Sequence, residues 1–298
     1  MPVITIAAAS AGIIGGVGAL AGIRTVRGAL GVTRYAGVVS PHFDGRRFAN
    51  SEPAPGHSGR EMLKRAFTVR TKPRHRYDDI PSNYPPPLTV VESGALSVTY
   101  INHATTLIQM DGINILTDPV WSMRIGPVTW AGYKRIRPAG VRFEDLPRID
   151  VVLISHNHYD HMDIPTVKAL LARGDTPLWL GGLGTGQALA DAGAGRVVEM
   201  DWWNDVALPC GVTITSVPAR HFSARGVTDR NMTLWCGFVI SGSRGPVYFA
   251  GDTGYGAHFR RIRERFGDIR IAILPIGPFK PEWYMARVHL SPVEAVRA

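Results

Sequence analysis

An α/β fold is predicted for this chain of 298 residues from three observations: strand-like and helical patterns alternate from Leu96 onward, an Asp-Gly pair sits between two apolar runs, and 45% hydrophobic content supplies a sizeable core. Residues 96–101 and 105–110 read as strands, and Asp111-Gly112 is a tight hairpin signal leading into a strand over 113–117. Residues 151–155 form an apolar run long enough for a buried strand. Asp163 and Pro165 then open a helix that places Ile164, Val167, Leu170 and Leu171 on one face, and Gly174 closes it. Residues 178–180 are a further strand, which passes through GGLGTG into a short helix. No start within 181–186 meets the G-x-G-x-x-G spacing of a dinucleotide loop, so this run is read as a turn. Residues 212–217 and 246–250 are strands. The second leads into a helix with Phe259, Ile262 and Phe266 inward and Arg260, Arg261, Arg263 and Arg265 outward. Residues 271–274 make the last clear strand, and Ser291, Pro292 and Glu294 have the spacing of a capping box at a helix start. No internal repeat of fixed period is evident.

Three regions follow from composition. Residues 1–34 form an apolar amino-terminal segment, 35–92 a Pro-rich basic arm, and 93–298 the regular domain. Residues 3–23 carry no charge, and as a helix would span about 31 Å, close to the hydrocarbon thickness of a bilayer. A membrane anchor with the rest of the chain cytoplasmic fits Arg24, Arg27 and Arg34, whereas Ala19-Leu20-Ala21 resembles the cleavage site of an export signal. Within the arm, residues 60–76 hold seven basic residues against Glu61 alone. Stacking aromatics are scarce there, which argues against single-stranded nucleic acid as a partner. A net charge of +9 and a pI near 9.9 favour an anionic partner, a phospholipid or a membrane surface among them. Cys210 and Cys236 form no C-x-x-C pair and support neither a disulfide framework nor a thiolate metal site.

The chemistry concentrates in ISHNHYDHMD, directly after the 151–155 run. His156 and His158 alternate by two, so in an extended segment both rings project to one side. Asp160 and His161 follow at the turn into the helix. Imidazole and carboxylate donors suit zinc, and this many in six residues is enough for two ions. His221 and Asp252 lie just beyond the strands over 212–217 and 246–250, the right address for further ligands. Asp252, with two oxygens, is suited to bridging the ions.

HNHYDH, GDTGY, INHATTLI, LTDPVW, EMDWW, PIGPF and VHLSPVEAVR together resemble the metallo-β-lactamase superfamily, and within it the branch of phospholipases D that hydrolyse N-acylphosphatidylethanolamine. The resemblance implies an αβ/βα sandwich with a dinuclear zinc centre at one edge. It places His156, His158 and His221 on one zinc and Asp160 and His161 on the second, with Asp252 bridging; His289 stands beside the metals and Tyr159 near the scissile headgroup. Asp160, Asp252 and His289 would carry the chemistry, with His289 donating a proton or binding phosphate, and Tyr159 and His289 contacting substrate. His103 and Asp118 are expected beside the centre without ligating. Trp202 and Trp203 are expected in the core rather than in an acyl groove. Such families supply a further second-zinc histidine from a motif like HWGTF, which is missing before Ala298. The expectation is therefore a domain truncated at its carboxyl end with a weak second zinc.

The implied activity is zinc-dependent hydrolysis of N-acylphosphatidylethanolamine-like phospholipids to N-acylethanolamine and phosphatidic acid. The alternatives are a related hydrolase of a lactone or small ester, and a catalytically impaired or non-catalytic remnant. Oligomeric state stays open.

Overall fold

The computed structural model describes residues 33–52, 60–61, 64, 85–128, 130 and 132–298. The apolar segment expected over 3–23, and all but three residues of the basic run over 60–76, lie outside the described residues. Among those described, no helix is long and apolar enough to cross a membrane.

In chain order the strands are β1 Leu96–Asn102, β2 Thr105–Met110, β3 Ile113–Thr117, β4 Arg124–Ile125, β5 Tyr133–Lys134, β6 Val151–Ile154, β7 Leu178–Gly182, β8 Val197–Met200, β9 Asp205–Ala207, β10 Thr213–Pro218, β11 Cys236–Gly242, β12 Gly245–Phe249 and β13 Ile271–Ile273. The helices are α1 Ile164–Ala172, α2 Gly186–Asp191, α3 His258–Phe266, α4 Glu282–Met285 and α5 Pro292–Arg297. One sheet runs β1-β2-β3-β6-β7-β8, the other β13-β12-β11-β10-β9, and β4 pairs with β5 alone.

The expected sandwich is present. Inward side chains of both sheets, Ile108, Ile115, Leu153 and Leu180 from one and Ile214, Phe238, Ile240 and Phe249 from the other, share a single core. The outer face of the first sheet, through Leu116, Val152, Ile154 and Trp179, packs on Ile164, Val167 and Leu170 of α1 and on Leu189 of α2. Val239 and Tyr248, on the outer face of the second sheet, pack on Phe259 and Ile262 of α3. The layers are therefore αβ/βα, as strand alternation between two buried faces requires.

Local chemistry explains the turns. Asp111 and Gly112 take φ of 49° and 80°, the paired left-handed conformation of a two-residue hairpin. The Asp111 carboxylate accepts hydrogen bonds from Gly94 N at 2.8 Å and Ser243 N at 2.9 Å, linking this hairpin to the β11–β12 turn of the other sheet. Ser291 and Glu294 do form a capping box on α5.

The arm does not begin as a separate region. Phe43 and Phe48 are 1% and 2% exposed and sit in the inter-sheet core, where each ring contributes about 1.5–3 kcal/mol of burial. No sequence pattern marked β11, although it lies between β10 and β12 at the middle of its sheet.

Topology gathers the ends of several strands at one edge. β3 and β6 are parallel, and β2 pairs antiparallel with β3, so the turn before β2 meets the ends of β3 and β6. β10 and β12 both run antiparallel to β11 and finish together. The two sheets touch at this edge through Cys236 N donating to Ser155 O at 2.9 Å. Gly251, at φ 59°, is needed here: a Cβ would come 2.5 Å from Ser155 Cβ.

Candidate metal centre

Every ligand candidate reaches this edge. His156 follows β6, and its Nε2 lies 2.7 Å from Nδ1 of His158, so the alternation does direct both rings to one place. His221, three residues beyond β10, brings Nε2 to 3.4 Å from the same His158 nitrogen. These three donors form one group within 4.8 Å.

His161 starts the second group. After His158 the chain turns tightly, with His161 N and Met162 N both donating to His158 O at 3.1 and 2.8 Å. This directs Nε2 of His161 to 3.3 Å from Oδ2 of Asp252. The same Asp252 oxygen is 3.8 Å from His221 Nε2 and 3.8 Å from His289 Nδ1. One carboxylate oxygen thus faces both groups of imidazoles, the placement a bridging ligand needs. Asp160 reaches the second group together with His103.

The side chains around the donors set their orientation. Asp118, entirely buried, accepts from Ser155 N on Oδ1 at 2.7 Å, and from Ser155 Oγ at 2.6 Å and His161 Nδ1 at 2.7 Å on Oδ2. A proton held at His161 Nδ1 leaves the Nε2 lone pair directed at Asp252. His221 Nδ1 donates to Val288 O at 3.0 Å, which frees its Nε2 likewise. Asn50 clamps the backbone of His221, its amide donating to His221 O and its oxygen accepting from His221 N, both at 3.0 Å. Arg225 donates to the carbonyls of Asn157 at 2.9 Å and Met162 at 2.7 Å, holding both ends of the NHYDHM turn from beneath. Burial pulls that guanidinium down to about 10, still fully charged at neutral pH.

The electrostatics fit cation binding. Burial holds His156 and His221 well below the ordinary imidazole range and His158 at about 4, so all three present neutral, lone-pair-bearing nitrogens. For Asp252 burial acts upward, but His161, His221 and His289 outweigh it and keep the carboxyl well below its usual range. For His161 burial acts downward and the Asp252 and Asp118 carboxylates outweigh it, so the ring nitrogen stays cationic where nothing else neutralises them. Among the described residues, the buried His161 Nε2 and His289 Nδ1 make no hydrogen bond. Donors bonded at about 2.0–2.1 Å to a tetrahedral ion lie about 3.3–3.4 Å apart, close to the separations here. His156, His158 and His221 can hold one ion, Asp160 and His161 belong to a second group, and Asp252 lies within reach of His156, His161 and His221.

The other expected residues divide. His289 stands at the cluster, its ring 5.1 Å from that of His221. The Tyr159 hydroxyl donates to Arg225 O at 2.7 Å under the stacked guanidinium, so the ring, not the hydroxyl, is what Tyr159 contributes to the adjoining cleft. Trp202 is in the core, donating from Nε1 to Trp235 O at 2.8 Å, and Trp203 packs against the same core. A cleft of about 380 Å³ beside Tyr159 is lined by Met123, Arg124, Val128, Ile164, Lys168 and Arg225, mixing cationic and apolar groups. Asn50 and Arg225 escape sequence reading because neither has ligand character or ligand spacing. Asp118 and Ser155 did carry a signal, since each directly follows a strand.

A family model described as a Beta-lactamase superfamily domain matches residues 113–298. An uncharacterized protein of Mycobacterium tuberculosis is 38% identical over 265 residues, which cover 87% of this chain and 70% of the relative. N-acyl-phosphatidylethanolamine-hydrolyzing phospholipase D 1 of Caenorhabditis elegans is 37% identical over 214 residues, 69% of this chain and 60% of that enzyme. The solved structure of an isothiocyanate hydrolase from Delia radicum gut bacteria shares the fold, with a TM-score of 0.53 at 21% identity over 67% of this chain and 78% of the other.

Proposed function

The chain belongs to the β-lactamase superfamily, and on that premise we propose that it is a zinc-dependent phosphodiesterase of phospholipase D type, converting N-acylphosphatidylethanolamine-like lipids to N-acylethanolamine and phosphatidic acid. The observation that carries this reading is Asp252 Oδ2, a single carboxylate oxygen within 3.8 Å of His161, His221 and His289. The residues of these donor groups would hold the ions, which when bound would supply a water nucleophile at neutral pH and polarise a phosphoryl oxygen. The bond from water oxygen to phosphorus forms as the bond from phosphorus to the ethanolamine oxygen breaks, and the proton lost by the attacking water is the one the leaving oxygen takes up. His289 is the residue placed to relay it; its imidazole is largely buried at the centre and burial lowers its pKa, so the neutral ring can accept that proton and pass it on. Asp118 and the Val288 carbonyl keep His161 and His221 in the required tautomers.

The cleft supports a lipid phosphodiester. Arg124 and Lys168 suit phosphate, and Met123, Val128 and Ile164 suit hydrocarbon. Beside it the β4–β5 hairpin exposes Trp130 (79%) and Tyr133 (71%) next to Arg124 and Lys134, the pairing of aromatic and basic groups that settles at a bilayer interface. A membrane surface is the matching partner, at which each nearby Lys or Arg contributes about 1 kcal/mol of attraction to anionic lipid. The second reading, a lactone or small-ester hydrolase, is favoured by the modest cleft volume, about 380 Å³, which holds a headgroup more easily than a diacylated lipid.

The test is incubation of purified chain with N-acylphosphatidylethanolamine in anionic and in neutral vesicles, with and without chelator. Chelator-sensitive release of N-acylethanolamine with phosphatidic acid is expected, faster on anionic vesicles. In sedimentation, Trp130→Ser with Tyr133→Ser should weaken vesicle binding. An intact phospholipid alongside an opened lactone refutes the phospholipase reading in favour of the second.

A further inference from the structure

His103 occupies the turn between β1 and β2, and it is exposed where His156, His161 and His221 are buried. Its backbone has φ 45°, a left-handed conformation that is strained for a residue with a Cβ and persists only where surroundings enforce it. Here they do. Asn102 Nδ2 donates to Val120 O at 3.0 Å and Thr105 Oγ1 donates to Asp118 O at 2.7 Å, tying both sides of the turn to the segment after β3 that carries Asp118. The result brings His103 Nε2 to 3.1 Å from Asp160 Oδ2 and its ring to 5.0 Å from that of His161.

We propose that His103 is a donor to the second metal position, holding the ion beside Asp160 and His161 from its solvent side. This rests on the two-ion reading above. The donor atoms of His103, Asp160 and His161 all lie within 4.8 Å of one another, as do those of His156, His158 and His221. The 3.1 Å separation falls among the 2.7, 3.3 and 3.4 Å found between the other neighbouring donors, and near the spacing of two ligands on one tetrahedral ion. Asp160 and His103 are both about two-fifths exposed, with side chains at 38% and 41%, so the second position opens to solvent and substrate while the first is enclosed. His103 adds an imidazole from the β1–β2 turn to the Asp160 and His161 donors of the second position.

The competing role is a hydrogen bond from Nε2–H that merely steadies the Asp160 carboxylate. Two variants separate the roles. His103→Gln keeps a donating amide and loses the imidazole ligand, whereas His103→Cys offers a thiolate ligand in its place. Cobalt(II) is titrated into metal-stripped wild type and both variants, followed by visible absorption and by elemental analysis after dialysis. Circular dichroism and retention of the first equivalent report that each variant is folded. Wild type should take two equivalents. His103→Gln should bind the second at least tenfold more weakly, and His103→Cys should show a thiolate-to-cobalt charge-transfer band that appears only with the second equivalent. Undiminished second binding in His103→Gln together with no such band in His103→Cys overturns the proposal, as does a wild type saturating at one equivalent. A wild type binding no cobalt refutes the metal centre itself, a separate outcome.

Discussion

Replacing Asp118 with Asn changes one atom at the centre of three hydrogen bonds. Oδ1, which accepts from Ser155 N at 2.7 Å, survives the change. Oδ2, which accepts from Ser155 Oγ at 2.6 Å and from His161 Nδ1 at 2.7 Å, becomes an NH2 group. The serine hydroxyl can rotate and accept instead. His161 cannot keep its Nδ1 proton facing another donor, so its proton moves to Nε2, the atom 3.3 Å from Asp252, and the lone pair meant for the metal is consumed. Loss of such an orienting partner typically costs 10–100-fold in metal affinity, about 1.4–2.7 kcal/mol. The first group makes no direct bond to Asp118 and feels the change only through Ser155, whose Oγ also lies 2.9 Å from His156 Nδ1. Asp118→Asn should therefore weaken its second equivalent of zinc about 10–100-fold in chelator competition, and its first by less. The opposite sequence of losses, or an unchanged second equivalent, would refute the tautomer argument.

Asp252→Asn should lower phosphodiester turnover by at least about 10²-fold with circular dichroism unchanged, because a neutral amide cannot serve two cationic centres; near-normal turnover would reduce Asp252 to a turn residue. A second effect concerns acid stability. Burial, with Arg220 and Arg261, holds His258 down at about 4 from an ordinary 6.5, so the folded state resists its protonation. The stability associated with the neutral ring is complete above pH 6.5 and is lost as pH falls through about 4, amounting to about 3 kcal/mol over that window. Urea melts of wild type and His258→Gln between pH 4 and 7 should diverge in slope, the variant being flatter, and parallel curves would contradict the assignment.

What could be read from the sequence, and what could not, follows the distance over which each feature is determined. The 113–117 strand, the Asp111-Gly112 hairpin and the Ser291 cap depend on neighbours in the chain, and each stands where the local pattern puts it. The HNHYDH ligands were readable for the same reason: one strand end and one turn bring them together, so spacing alone implies convergence. His221 and Asp252 needed only the further rule that ligands gather beyond strand ends. β11 escaped because its two flanking strands were recognised without asking what lies between them; CGFVISG has little alternation, as expected of a strand buried on both faces of a central position. Asn50 and Arg225 were beyond reach for a different reason. Their partners are 171 and 68 residues away in sequence, chosen by how the sheets close rather than by any local pattern. The same is true of His103, whose residue type hinted at a ligand while its value depends on the β1–β2 turn meeting Asp160 across the sheet edge. The donors of this centre are therefore encoded largely in short motifs, whereas the groups that aim them are encoded in the topology. Substitutions at Asn50, Asp118 and Arg225 should accordingly disturb the metal centre without removing a donor from it.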